Sequence, residues 1–205
     1  MASAPDTRHR LIAALARPGA GSTDFDLNPL QSPPARPLRP AAVLVGVMAA
    51  PGGARLILTK RASHLQHHPG QIAFPGGKQE ATDASPAAAA LREAHEEVGL
   101  DPALVEVLGV LPSHQTVTGF AVTPVVGWIS PGFIARPQAG EVEEVFSVPL
   151  AHLAEPASYR IESRLWQGQN RRYYTVPFGP YYIWGATARM LRALAERLGE
   201  GRPAP

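Results

Sequence analysis

The chain has 205 residues, 45% hydrophobic and 18% charged, with a formal net charge of +2 and no cysteine. These values exclude a wholly disordered chain, disulfides, thiolate metal sites and a cysteine nucleophile. The charge is too balanced for a general nucleic-acid binder, and a small anionic substrate suits it better.

Arg8-His9-Arg10 precedes the apolar run Leu11 to Ala16, which Arg17 ends. Six apolar residues fall short of the roughly 7 or more of a signal-peptide core. The segment reads as a short amphipathic helix, and the protein is expected in the cytoplasm. The longest apolar candidate, Ala41 to Ala50, is well below the roughly 20 residues of a membrane helix, so no membrane partner is expected. Seven of the 22 prolines lie in the first 40 residues, and Gln31 to Pro40 reads as an extended linker. The expected organisation is an N-terminal Pro-rich extension over residues 1–40, a compact domain over 41–198 and a loose tail over 199–205.

Within the domain, Ala42 to Met48 and Ala54 to Lys60 are strand-like runs joined by a Pro51-Gly52-Gly53 turn. Gln71 to Phe74 reads as a third strand. Ser85 to Val98 predicts a helix: Ser85 caps it, Pro86 suits its first position, Ala87 to Ala90 favour it and Gly99 ends it. Further strands are predicted at Val105 to Leu111, Val122 to Ile129, Val142 to Val148 and Arg171 to Val176. A last helix is predicted from Ala186 to Leu198, with Leu191, Leu194 and Leu198 as its apolar stripe. The pattern predicts an α+β fold.

At 100° per residue, Glu93, Glu96 and Glu97 share one face of the central helix, while Ala87, Leu91, Ala94 and Val98 share another. Three carboxylates that close repel, so one or more is protonated unless a cation compensates. A hard divalent cation such as Mg²⁺, taking carboxylates, waters and phosphate oxygens, fits this donor set. A solvated acidic helix face is the alternative. Arg92 before the cluster, Gly99 after it and the glycine-rich loop ahead of the helix favour the metal.

Gly77, Asp83 and Arg92-Glu93-Ala94-His95-Glu96-Glu97-Val98-Gly99-Leu100 resemble the Nudix box, Gly-x5-Glu-x7-Arg-Glu-U-x-Glu-Glu-x-Gly-U, where U is apolar. Asp83 stands in place of Glu, and eight residues rather than seven separate it from Arg92. Upstream, Ile57-Leu58-Thr59-Lys60-Arg61, Gly70 and Phe74-Pro75-Gly76-Gly77 resemble the signature of the coenzyme A diphosphatase branch. Ala62 and Gln66 depart from its Ser and second Arg, and His67 or His68 is a candidate substitute for that Arg. Thr118-Gly119-Phe120, Thr123 to Val126 and Ile183-Trp184-Gly185 are weaker likenesses to the same branch.

The resemblance implies a Nudix-type α/β/α sandwich with a mixed β-sheet and a loop-helix-loop motif. It implies metal-dependent hydrolysis of coenzyme A or its derivatives to adenosine 3',5'-bisphosphate and 4'-phosphopantetheine or its acyl form. Mg²⁺, with Mn²⁺ as the other candidate, is the implied cofactor, and the partner is a small molecule rather than nucleic acid. Arg92, Glu93, Glu96 and Glu97 are the expected catalytic residues, the three glutamates as metal ligands and Arg92 as the group that orients a carboxylate. Glu143, Glu144 and Asp83 are candidates for the base or an extra ligand, the first two within an acidic cluster that also contains Glu141. Arg61, Gly76 and Gly77 are expected at the substrate. Tyr181, Tyr182 and Trp184 are candidates for an adenine slot, and His64, His67 and His68 for groups titrating near neutrality. The competing readings are a Nudix hydrolase of another nucleoside diphosphate derivative, a dinucleotide or nucleotide sugar, and a non-enzymatic binding module on the same fold.

Overall fold

A computed structural model describes residues 4–31, 37–166 and 168–199. Most of the expected linker and tail, residues 32–36 and 200–205, lies outside the described residues. In chain order the elements are α1 (Ala4–Leu15), β1 (Ser22–Thr23), β2 (Arg39–Met48), β3 (Arg55–Arg61), β4 (Ile72–Ala73), β5 (Gly76–Lys78) and α2 (Pro86–Val98). They are followed by β6 (Val105–Val110), β7 (His114–Gln115), β8 (Phe120–Ile129), β9 (Val142–Pro149), α3 (Leu150–Leu153), β10 (Arg160–Trp166), β11 (Gln169–Thr175) and α4 (Gly185–Gly199).

Strand β2 is the centre of a nine-stranded mixed sheet. It runs parallel to β8 from Arg39↔Phe120 to Met48↔Ile129, and antiparallel to β3 and β5. Both faces of the sheet are covered, and the strands show it. Val45 and Val47 of β2, Leu56 and Leu58 of β3 and Val126 of β8 enter one buried cluster with α1, α3 and α4. Ala42, Leu44, Ile57, Val125 and Ile129 enter a second cluster with α2. Alternate residues therefore feed opposite cores, as the two-residue period of a strand requires. This is the α/β/α sandwich expected from the sequence.

Helix α2 has the ends its sequence predicts. Ser85 Oγ accepts the Ala88 N–H at 3.1 Å, Pro86 opens the helix, and Gly99 closes it at φ 69°. The Gly99 and Leu100 N–H groups return to His95 O and Ala94 O at 3.0 and 3.3 Å. Ala89, Ala90, Ala94 and Val98 face the sheet, which leaves the acidic side free.

Two expectations are corrected. The strand expected over Gln71 to Phe74 is divided: β4 covers only Ile72–Ala73, and β5 begins at Gly76. Pro75 has no N–H to give a ladder, and its carbonyl instead accepts the Leu44 N–H at 2.8 Å. The hairpin's first strand, β10, was not anticipated, although Arg160 to Leu165 alternates in polarity along most of its length. At the N-terminus, α1 is built into the core: Leu11 and Ala14 are fully buried against the cluster that holds α4.

Candidate active site

The site is assembled by β5, the loop that follows it, and α2. Gly76 and Gly77 sit where side chains do not fit. A Cβ on Gly76 would lie 2.5 Å from the Ala42 carbonyl oxygen and 2.6 Å from Val43 Cα. A Cβ on Gly77 would lie 2.4 to 2.8 Å from the Glu93 carboxylate. The first glycine lets the loop press onto β2. The second leaves the space that Glu93 occupies.

Glu97 is almost fully buried at 6% exposure, and its Oε2 accepts the Gly76 N–H at 3.1 Å. Burial pushes its carboxyl up to about 7, with Glu93 and Glu141 adding to the effect and the Gly76 N–H and Arg61 opposing it. Burial also raises Glu93, against the pull of Arg92 and with help from Glu96 and Glu141. Two neighbouring carboxyls are thus held above their ordinary range, mainly because burial disfavours their charged forms.

Arg92 organises the cluster. Its Nε and Nη2 donate to the two oxygens of Asp83 at 3.1 and 2.9 Å. Nη1 donates to Glu93 Oε1 and Glu96 Oε2, both at 3.1 Å, and Nη2 also reaches the Lys78 carbonyl at 3.1 Å. A planar fork serves these partners at once, which a lysine could not. Asp83 is thereby committed: besides Arg92 it accepts the Glu80 N–H at 2.8 Å, and the Arg92 contact holds it below the ordinary carboxylate range. The extra loop residue is absorbed while Asp83 still reaches Arg92. The structure puts Asp83 behind the arginine and not among the three glutamates.

The other expected residues divide. Glu143 is tied to Lys60 Nζ at 2.6 Å and to Ser63 Oγ. Glu144 accepts the Tyr181 hydroxyl, whose ring stacks on Phe146 at 3.6 Å. Both carboxylates are occupied away from Glu93 and Glu97. Glu141, in the turn just before β9, is the acidic residue of this cluster whose charge bears on both. Its carbonyl accepts the Ala62 N–H at 2.8 Å, which fixes it beside Arg61. Spacing alone did not separate Glu141 from Glu143 and Glu144; their pairing partners do.

Arg61 ends β3 at a register shift in its pairing with β9. Such bulges re-aim a side chain. Its Nε is buried without a hydrogen-bond partner among the described residues, and the side chain lines a cavity of about 340 Å³. Trp184 lines the same cavity and also the neighbouring depression that Tyr181 and Tyr182 line with Lys60 and Glu144. His68 is on the cavity wall with φ 55°, and burial lowers it. His64, Gln66 and His67 are exposed and do not line the cavity.

Among the described residues, no three acidic or histidine side chains already converge on a point that would hold a metal. Arg92 holds Glu93 and Glu96 in their present orientation. The chemistry of the donor set nevertheless fits a hard divalent cation: its donors are all oxygen, and burial holds two of the carboxyls above their ordinary range.

The NUDIX domain profile matches residues 37–165. The chain belongs to the Nudix family. This Nudix hydrolase is 47% identical over 163 residues to the uncharacterized Nudix hydrolase NudL of Enterobacter sp. strain 638, covering 78% of this chain and 83% of that one. It is 48% identical over 161 residues to NudL of Salmonella newport strain SL254, with the same coverage. Among solved structures, RenU of Mycobacterium smegmatis aligns with a TM-score of 0.56 and 21% identity, over 83% of this chain and 91% of that one. The NUDIX domain of Shewanella oneidensis NrtR, crystallised with ADP-ribose, aligns with a TM-score of 0.51 and 17% identity, over 85% and 97%. At those identities the two structures establish the fold. The family establishes a hydrolase that acts on diphosphate bonds, of a kind that generally uses divalent metal ions. Among the described residues no helix is long and apolar enough to cross a membrane.

Proposed function

We propose that this Nudix hydrolase cuts the diphosphate of coenzyme A or its derivatives, giving adenosine 3',5'-bisphosphate and 4'-phosphopantetheine or its acyl form. The observation that carries the reading is Arg61. The branch signature singles out this residue, and a strand bulge turns it into the cavity. Its charge also bears on Glu97. A guanidinium there, with its Nε buried and without a partner among the described residues, suits a diphosphate.

Glu93, Glu97 and Glu96 would hold the cation, Mg²⁺ or Mn²⁺. Such an ion, when bound, neutralises diphosphate oxygens and makes a water more acidic. The chain's own residues do the rest. Arg61 binds and orients the diphosphate. Gly76 and Gly77 shape the loop, the first by lying against β2 and the second by leaving room for the Glu93 carboxylate. Arg92, backed by Asp83, fixes the rotamers of Glu93 and Glu96. Glu141, whose charge bears on Glu93 and Glu97, is our candidate to accept the proton of the attacking water at one of its oxygens. It bears on the ligands electrostatically and is not committed to another side chain, as Glu143 and Glu144 are. This assigns the base to a residue beside the two that spacing favoured.

The deciding experiment incubates the protein with coenzyme A and Mg²⁺, with EDTA as control and ADP-ribose and diadenosine polyphosphates alongside. Metal-dependent release of adenosine 3',5'-bisphosphate and phosphopantetheine supports the reading. Cleavage of another diphosphate alone discards coenzyme A and keeps the hydrolase. No cleavage of any substrate by folded, metal-loaded protein favours a binding module.

A further inference from the structure

The cavity beside Arg61 lies between the end of β3, the β10–β11 hairpin and the first turn of α4, and its volume of about 340 Å³ suits part of a nucleotide. Its wall carries Arg61, Arg164, Arg171 and Arg172 against a single carboxylate, Asp24. That carboxylate is shared: Oδ1 lies 3.2 Å from His114 Nε2, Oδ2 accepts the Val117 N–H at 2.8 Å, and its charge is felt by Arg171, whose Nη2 donates to the Asp24 carbonyl at 3.2 Å; four guanidinium groups still face one carboxylate. Positive charge therefore dominates the space.

The hairpin register sharpens the point. Arg164 stands directly opposite Arg171. Like charges so opposed destabilise an antiparallel pair. Here each guanidinium has its own neighbour, for Arg171 the Asp24 carbonyl at 3.2 Å from Nη2. The Arg164 guanidinium also lies 4.5 Å from the centre of the Trp184 ring, which meets Tyr173 edge-on at 5.3 Å. Stacking fixes the plane of a guanidinium and leaves its edge N–H groups to donate. Gly185 and Ala186, which open α4, lie on the same wall and add the positive end of that helix.

We propose that Arg164 and Arg171 form a second anion subsite, which takes a phosphate monoester on the nucleoside end of the substrate, away from the diphosphate that is cut. The inference rests on the coenzyme A reading and deepens it, since on that substrate the group is the 3'-phosphate. The subsite separates substrates that carry this extra phosphate from nucleoside diphosphate derivatives that lack it.

The test compares coenzyme A with 3'-dephospho-coenzyme A in the wild type and in Arg164→Gln, at an exposed position where the fold should tolerate the change. The ratio of kcat/KM for the two substrates should fall by about 10- to 100-fold in the variant, the size of a lost charge-assisted contact, and mainly through KM. Arg164→Lys should recover part of the ratio. Equal losses on both substrates would overturn the subsite. If the wild type cleaves neither substrate but does cleave another diphosphate, the coenzyme A reading has failed, and calorimetric titration judges the subsite alone. Preference for adenosine 3',5'-bisphosphate over AMP in the wild type, reduced in Arg164→Gln, supports it; equal affinities reject it.

Discussion

Arg92 grips Asp83 with two nitrogens, Nε at 3.1 Å and Nη2 at 2.9 Å, while its remaining nitrogen holds Glu93 and Glu96. The carboxylate in the loop thus acts on the cluster through the arginine. Asp83→Asn should lower kcat by roughly 10-fold, as outer contacts of a metal site commonly do. Arg92→Lys should lose about 100-fold, because an ammonium cannot span the same partners. Steady-state kinetics over a Mg²⁺ titration would check both, and the metal concentration at half-activity should rise. Asp83→Asn with wild-type kinetics would free the loop carboxylate from this role.

Gly76 and Gly77 should fail in different ways when changed to alanine. At Gly76 the new methyl meets backbone, Ala42 O at 2.5 Å and Val43 Cα at 2.6 Å, so β5 must leave β2 and thermal stability should fall. At Gly77 it meets the end of the Glu93 side chain, which can swing away. Gly77→Ala should keep its melting temperature and lose activity by roughly 10²-fold, the scale of a misplaced catalytic group. Calorimetry beside kinetics separates the two outcomes.

Glu97→Gln keeps an oxygen for the Gly76 N–H and removes the charge. Turnover should drop by roughly 10³-fold, about 4 kcal/mol of barrier, and Mg²⁺ should no longer raise the melting temperature. The pH dependence has a definite sign. The Glu97 carboxyl is raised to about 7 in the fold, so the metal-free folded state binds more protons than the unfolded chain between the ordinary carboxylate value and about 7. Metal-free protein should therefore gain stability as pH falls from about 7 through that window. Glu97→Gln should flatten that slope. A wild-type melting temperature unaffected by pH there would remove the burial argument.

Asp24 carries the opposite sign. Burial disfavours its charge, yet the His114 hydrogen bond, the Val117 N–H and Arg171 together bring it below the ordinary carboxylate range. Its contribution is complete above the unfolded value, roughly 3.9, and is lost as pH falls through the lower folded value. Asp24→Asn should reduce stability near neutrality and blunt the acid limb of a melting-temperature profile. An unchanged acid limb would mean that the cavity wall does not depend on this pair.

Leu11 is fully buried although it lies within the expected N-terminal extension. Leu11→Ala should cost about 2–5 kcal/mol, as other core truncations do. For a chain of this size that lowers the melting temperature by several degrees. A variant with unchanged melting would show that α1 is dispensable to the domain.

Local signals were legible where one element explains them. Ser85, Pro86 and Gly99 marked both ends of α2 because capping depends on residues within a turn of each other. The shared face of Glu93, Glu96 and Glu97 followed from helical spacing. Short strands such as β1 and β7 left no period to read, since two residues hold no alternation. The roles of Asp83, Glu141, Glu143 and Glu144 were beyond spacing. Each is decided by a partner contributed by another element: Arg92, Ala62, Lys60 and Tyr181 in turn.

The family box, the helix that carries it and the identity of the three clustered carboxylates are properties of contiguous residues and can be read along the chain. Which of those carboxylates is buried enough to be raised to about 7 depends on the folded molecule. The fold also pairs Glu143 with Lys60 and Glu144 with Tyr181, and sets Arg164 opposite Arg171 across a hairpin beside Arg61. Burial and long-range charge depend on what the remaining elements bring near a group, and residues far apart in the chain set that only when the sheet closes around its central parallel pair.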